Sequence, residues 1–162
     1  MTEREKVITV LKELGIAFRL EEHKAVFTIG EMEQLGLQSQ GTVAKNLFLK
    51  DNKGKRHFLV VLPGDKKVDL KSLKGLLQVS GLSFASEGRL WDYLNLTKGA
   101  VTPLGIINNT AHDVEVIFDK ELEQSASIGV HPNENTATVW LSYVDLVRFV
   151  EHHGNPLTVL EL

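Results

Sequence analysis

A lysine interrupts an apolar row at Val43-Ala44-Lys45-Asn46-Leu47-Phe48-Leu49, where Val43, Lys45, Leu47 and Leu49 alternate onto one face of a strand. Burying an ammonium costs several kcal/mol unless something compensates. Two readings follow: the stem snorkels its charge to the surface, or the charge lines a pocket and meets an anionic or polarised ligand. A second polar segment lies far along the chain, Gly129-Val130-His131-Pro132-Asn133-Glu134-Asn135-Thr136-Ala137-Thr138, rich in turn-formers and opening onto another strand. It reads as a hairpin connection stiffened by Pro132 and by Asn side chains bonding back to backbone, or as a binding loop. In the second reading Gly129 lets backbone approach a ligand, Pro132 stiffens the loop and His131 supplies a polar wall.

Other chemistries find less support. The chain has no cysteine, which removes disulfides, thiol nucleophiles and thiolate metal sites together. Of its six histidines, His152 and His153 are adjacent on a predicted helix and point roughly 100° apart, and no H-x-x-x-H spacing occurs. No metal site and no cofactor is expected. A G-x-S-x-G elbow is absent, and Ser83, Ser86 and Ser142 read as strand or cap residues. Neither G-x-x-x-x-G-K-[ST] nor G-x-G-x-x-G is present, so nucleotide-dependent chemistry is not supported.

At 162 residues, 43% apolar and 24% charged, the chain is expected to form one soluble domain spanning 1–162. Its start, Met1-Thr2-Glu3-Arg4-Glu5-Lys6, lacks the apolar core of a signal peptide, and no run approaches the ~20 apolar residues of a membrane span. A cytoplasmic protein with no membrane partner is the expectation. The net charge of -3 argues against general nucleic-acid or DNA binding, but its distribution is uneven. Between Val43 and Lys74 stand nine basic residues (Lys45, Lys50, Lys53, Lys55, Arg56, Lys66, Lys67, Lys71 and Lys74) against Asp51, Asp65 and Asp69. A basic strip on an acidic body suits a protein that grips one end of a polyanion; a lysine-rich face kept for solubility is the alternative.

The elements that must position these residues are legible in outline. Thr2-x-x-Glu5 predicts a capping box opening a helix with Val7, Val10, Leu11 and Leu14 on its apolar face, closed by Gly15, and a strand through Ile16 to Leu20 follows. Thr28-x-x-Glu31 predicts a short helix to about Leu35. Val43 to Lys50 and Arg56 to Leu62 are strands joined by the turn Asp51-Asn52-Lys53-Gly54-Lys55, and the second, apolar on both faces, should be central in its sheet. Asp69 caps a helix through Leu77, and Ser86 another through Leu94, with Leu90, Trp91 and Leu94 on its inner face. Gly105 to Asn108 and Val114 to Phe118 read as paired strands. After a helical turn near Glu121, Ile128 and Thr136 to Leu141 are extended, and Ser142-x-x-Asp145 starts a last helix with Val144, Val147, Phe149 and Val150 among its apolar positions, ended by Gly154. The fold class is α+β, with a mixed, largely antiparallel sheet and surrounding helices.

Four segments carry a likeness to a known family: Gly41-Thr42-Val43-Ala44-Lys45-Asn46-Leu47; Leu82-Ser83-Phe84-Ala85-Ser86 with Arg89-Leu90; Val101 through Thr110; and Gly129 through Thr138, followed by Ser142 to Phe149. Together they resemble the prolyl-tRNA synthetase editing-domain (YbaK-like) group, and within it the free-standing alanyl-tRNA(Pro) deacylases. One departure is visible: related chains often read Gly-His-x-Pro where this one reads His153-Gly154-Asn155-Pro156, which bears on the packing of the terminal strand.

The resemblance implies the same α+β fold and a trans-acting hydrolase that removes alanine from mischarged tRNA(Pro). It implies Lys45 as the central catalytic group, assisted by Asn46, with Gly129, His131, Pro132 and Ile29 around the amino acid, and a helix over Thr28 to Gly36 lying across the pocket. The local charge excess, rather than the resemblance, points to Lys50, Lys66, Lys67 and Lys74 as the groups that would hold the acceptor end of the aminoacylated tRNA, with prolyl-tRNA synthetase or an elongation factor as transient partners. An aminoacyl ester suits so sparse a site. The neighbouring ammonium already activates its carbonyl, so the enzyme needs to position water and steady an oxyanion rather than supply a strong nucleophile. A deacylase for serine or cysteine on tRNA(Pro), or for alanine on another tRNA, and a non-catalytic tRNA-binding module are the other readings.

Overall fold

The computed structural model describes residues 1–25, 30–31 and 41–162. In chain order they form α1 (Glu3–Glu13), β1 (Arg19–Glu22), β2 (Thr42–Asp51), β3 (His57–Pro63), α2 (Leu70–Leu77), β4 (Leu82–Phe84), α3 (Glu87–Leu94), β5 (Val114–Asp119), β6 (Ile128–Val130), β7 (Ala137–Leu141), α4 (Tyr143–His153) and β8 (Leu157–Leu160). The sheet runs β1-β7-β6-β2-β3-β5-β8, with β4 added to β2. It is mixed: β1–β7, β6–β7, β2–β3 and β2–β4 are antiparallel, and β2–β6, β3–β5 and β5–β8 are parallel. The strand that is apolar on both faces takes the place this demands. All seven residues of β3 are buried between β2 and β5.

Strand alternation divides the core in two. One face of the sheet offers Ala44, Phe48, Leu59, Val61, Val116, Ile128, Val130, Val139 and Leu141 to α1 (Val7, Leu11), α3 (Leu90, Leu94) and α4 (Leu146, Phe149, Val150). On the other face α2, through Leu73 and Leu77, covers Leu49, Phe58, Val60, Leu62 and Ile117. The helices start where side chains can satisfy their first amides. Thr2 forms a capping box with Glu5, Asp69 accepts from the Lys71 amide, Ser86 from Arg89, and Ser142 from Asp145. Gly154, at φ +96°, ends α4 in the left-handed conformation that glycine adopts without strain.

Several expectations need correction. Pro103–Asn108 is a 3-10 helix rather than a strand: Thr102 caps it, Pro103 sits in its first turn, and β5 pairs with β3 and β8 instead. The first strand starts at Arg19, because Ile16 is still turning off the helix, its amide donating to the Leu11 carbonyl. Trp91 lies outward at 54% exposure, since Leu90 and Leu94 set the buried stripe of α3. Val144 is outward on α4 for the same reason, with Leu146, Phe149 and Val150 turned in. The altered His153-Gly154-Asn155-Pro156 segment still delivers β8 parallel to β5. Of the helix expected over Thr28 to Leu35, only Gly30 and Glu31 are among the described residues, both helical; Ile29 lies outside them.

Candidate active site

The sheet register brings a row of polar side chains onto the face that α2 covers elsewhere. Val43 pairs with Gly129 in the parallel β2–β6 ladder, and that register, continued two residues, sets Lys45 level with His131. Val130 pairs with Val139, which sets His131 opposite Thr138, and Thr138 pairs with Glu21. Because Ala44, Val130 and Val139 belong to the opposite core, the alternate residues Lys45, His131, Thr138 and Glu21 share the other face. The four cross β2, β6, β7 and β1 in order.

Lys45 is half-buried on β2, and among the described residues its Nζ makes one long contact, 3.4 Å, to the Lys66 carbonyl oxygen. Among the described residues no carboxylate lies within ion-pair distance of it. A cleft of about 890 Å³ opens two residues away at Val43, between Gly64 and Asp65 on one side and Ser125 on the other; Lys45 and His131 are not among the residues that line it. Asn46, next in sequence, leaves β2 on the opposite face, where its Oδ1 is buried without a hydrogen-bond partner. The structure therefore does not bring the Lys45 and Asn46 side chains together.

The histidine's state follows from its partners. His131 Nδ1 lies 3.0 Å from the Ala137 carbonyl oxygen, which can only accept, so Nδ1 carries the proton and Nε2 of the neutral ring is an acceptor. Burial holds its pKa below the ordinary histidine value; the Ala137 carbonyl opposes this and His23 adds to it. His23, its ring 6.3 Å from that of His131, donates from Nδ1 to the Lys24 carbonyl at 2.8 Å and in its neutral form accepts from the Thr138 hydroxyl at 2.8 Å.

Gly129 is buried within β6, and a Cβ there would stand 2.8 Å from the Trp140 ring and 3.0 Å from Thr138. The close approach it permits is that of Trp140. Pro132 is buried, and Asn133 follows it at φ +62° with both side-chain amide atoms buried and unpartnered. The loop is clasped from outside by Arg4 of α1, which reaches Glu134 and Glu22, each at 2.6 Å.

The basic strip is dispersed. Lys66 pairs with the buried Asp119 at 2.9 Å, and this bond raises its pKa. Lys67 is exposed on the same turn, Lys74 is half-buried in the last turn of α2, and Lys50 leaves β2 on the face away from Lys45. No group of three or more acidic, histidine or cysteine side chains able to hold a metal occurs among the described residues. No helix there is long and apolar enough to cross a membrane.

Sequence reasoning passed over Glu21, His23, Thr138 and Trp140. Glu21 Oε1 and Trp140 Nε1 are buried without hydrogen-bond partners, and both residues share the face of Lys45. The available signal was the alternation Glu21, His23 in the chain after α1, which reads as solvated until its pairing with β7 is known.

Residues 23–149 match the aminoacyl-tRNA editing domain family. The prolyl-tRNA editing protein ProX of Acetoanaerobium sticklandii is 48% identical over 100% of this chain and 99% of its own length. Prolyl-tRNA synthetase associated domain-containing protein 1 of Danio rerio is 37% identical, over 97% of this chain and 86% of its own. A solved structure described as a candidate trans-editing enzyme for prolyl tRNA synthetase superposes with a TM-score of 0.77 over 100% of this chain and 98% of that one; at 19% identity it speaks for the fold. With the mixed sheet and the lysine-centred row, these matches establish that the chain belongs to the aminoacyl-tRNA editing domain family and is an aminoacyl-tRNA deacylase.

Proposed function

We propose that this chain acts in trans, in the cytoplasm, on mischarged tRNA(Pro), and that the amino acid it removes is alanine. The observation that carries the reading is Lys45: a half-buried ammonium with one long contact among the described residues, at the head of a polar row on a sheet face that packs apolar side chains under α2. No carboxylate among the described residues pairs with it, and its N–H donors can serve a carbonyl oxygen as negative charge develops there. Water adds to the ester carbonyl carbon and the charge moves to the oxygen beside Lys45. Collapse then breaks the bond to the ribose oxygen, which leaves with a proton passed from the attacking water through the neighbouring ribose hydroxyl. The products are free alanine and an uncharged tRNA end. His131, neutral, serves as a hydrogen-bond acceptor in the pocket wall, and the cleft at Val43 gives the terminal nucleoside room.

Size explains the need for such an enzyme. A synthetase pocket built for proline rejects alanine weakly, because missing methylenes cost only ~1–3 kcal/mol, whereas a small second pocket excludes proline by overlap. Prolyl-tRNA synthetase is then the source of the substrate and a transient neighbour. The test is deacylation of tRNA(Pro) carrying alanine, serine, cysteine or proline, with alanine on its own tRNA alongside. The alanine assignment requires Ala-tRNA(Pro) to be hydrolysed fastest and Pro-tRNA(Pro) spared; faster hydrolysis of the serine or cysteine ester would replace it.

A further inference from the structure

We propose that Glu21 binds the α-ammonium of the aminoacyl group, so that the polar row reads both ends of the substrate's charge pattern. The inference rests on the deacylase reading and names the residue that recognises the amine. Glu21 is directly paired with Thr138 and ends the row that Lys45 begins. Three inter-strand spacings separate their backbones, roughly 14 Å. Both side chains are long and the two residues between carry neutral polar groups. The row is thus cationic at β2, neutral at His131 and Thr138, and anionic at β1. An aminoacyl ester has the complementary order, with a carbonyl that turns negative on attack and an ammonium one carbon away.

Two features make Glu21 more than an edge-strand carboxylate. Its neighbours on β1, Arg19, Leu20 and Glu22, are exposed, and Glu22 is taken by Arg4, whereas Glu21 is half-buried with Oε1 shut from solvent and unpartnered. A buried carboxylate oxygen without a donor costs free energy that an incoming ammonium would recover. In addition, no other carboxylate among the described residues stands in this row: Glu134 is engaged by Arg4, and Asp119 by Lys66.

The experiment replaces the amine of the substrate and the charge of the residue independently. Alanyl-tRNA(Pro) and lactyl-tRNA(Pro), in which a hydroxyl stands for the ammonium, are compared in wild type and in Glu21→Gln. Wild type should prefer the alanyl ester, and Glu21→Gln should lower kcat/KM for it at least tenfold while leaving the lactyl ester within about twofold, so that the preference collapses. An equal loss on both esters, or an unchanged preference, overturns the proposal.

A binding measurement keeps the outcome independent of which amino acid is hydrolysed. Titration calorimetry with the non-hydrolysable 3′-amide analogues of alanyl- and lactyl-adenosine should give wild type at least tenfold tighter binding of the alanyl analogue, abolished in Glu21→Gln. Equal affinity of wild type for the two analogues refutes the ammonium contact even if Glu21→Gln fails to fold. Absence of Ala-tRNA(Pro) hydrolysis by wild type would instead refute the alanine assignment and leave this binding result to stand or fall alone.

Discussion

Two places in the molecule set a cation level with a histidine, buried at His57 and half-buried at His131, and they are built to opposite ends. At the hairpin end of the sheet, His57 packs in one aromatic cluster with Tyr93, ring centres 3.9 Å apart, and Phe48, at 5.6 Å. Arg89 lies 3.1 Å from its Nε2 and also donates to the Gly54 carbonyl at 3.2 Å. There the arginine's bonds tie α3 to the β2–β3 turn. At the other end Lys45 has one long contact among the described residues, and Glu21 Oε1 and Trp140 Nε1 on the same face and Asn133 in the loop after β6 are buried and unpartnered. Both regions are paired and packed as backbone. What separates them is polar capacity left unspent, which a folded protein tolerates where a ligand will use it.

The sharpest way to break this contrast is to remove each cation. Lys45→Ala should lower deacylation of Ala-tRNA(Pro) at least tenfold, ~1.4 kcal/mol of transition-state stabilisation, with the unfolding midpoint preserved. Near-normal turnover by the folded variant would end the assignment of Lys45. Arg89→Ala should do the reverse, costing about 1 kcal/mol of stability in denaturant titrations with kcat/KM within twofold of wild type. Slowed catalysis without lost stability would erase the distinction.

Acidification probes both histidines. Burial first and then Arg89 depress the pKa of His57, and burial depresses that of His131. The unfolded chain therefore binds more protons, so stability is full above the ordinary histidine value of 6.5 and is lost as pH falls from there toward the depressed folded values. Thermal midpoints should drop between about pH 7 and pH 5, and His57→Gln should shrink that drop. A profile unchanged by the substitution would show that His57 takes up its proton equally in the folded and unfolded chain, so that folding does not depress its pKa.

The smallest effect concerns two adjacent lysines. Lys67→Ala should reduce the slope of log K against log salt for tRNA binding by about 0.7–0.9, one phosphate contact. Lys66→Ala should mainly destabilise the fold by orphaning Asp119, which is 1% exposed. Superimposable salt titrations for Lys67→Ala and wild type would put the phosphate contacts elsewhere.

The helix starts were legible because caps are local: Thr2, Asp69, Ser86 and Ser142 each bond an amide two or three residues on. The central place of β3 was legible because no polar face survives in it. Pro103–Asn108 was misread because a short apolar run fits strand and helix equally, although Thr102-Pro103 carried the start signal. Trp91 and Val144 were misphased by sitting next to the residues that do pack. Lys45 could be found from its own strand. Glu21 could not, because its meaning comes from a pairing with Thr138 across more than a hundred residues of chain, and the Lys66–Asp119 pair was hidden for the same reason.

The strand order carries a consequence for how the molecule is made. Among the described residues β1 lies at one border of the sheet and pairs with β7 alone; the other border is β8 against β5. During synthesis the first strand therefore waits, unpaired, until residues 137–141 emerge, and β5 keeps an open side until 157–160 follow. Such long-range closure slows folding and leaves strand edges accessible meanwhile. The charged and polar makeup of β1, Arg-Leu-Glu-Glu, suits that wait, since an edge of this kind is a poor template for aggregation. A catalyst that guards the accuracy of translation thus has its sheet complete only after the ribosome has delivered the strands at both borders.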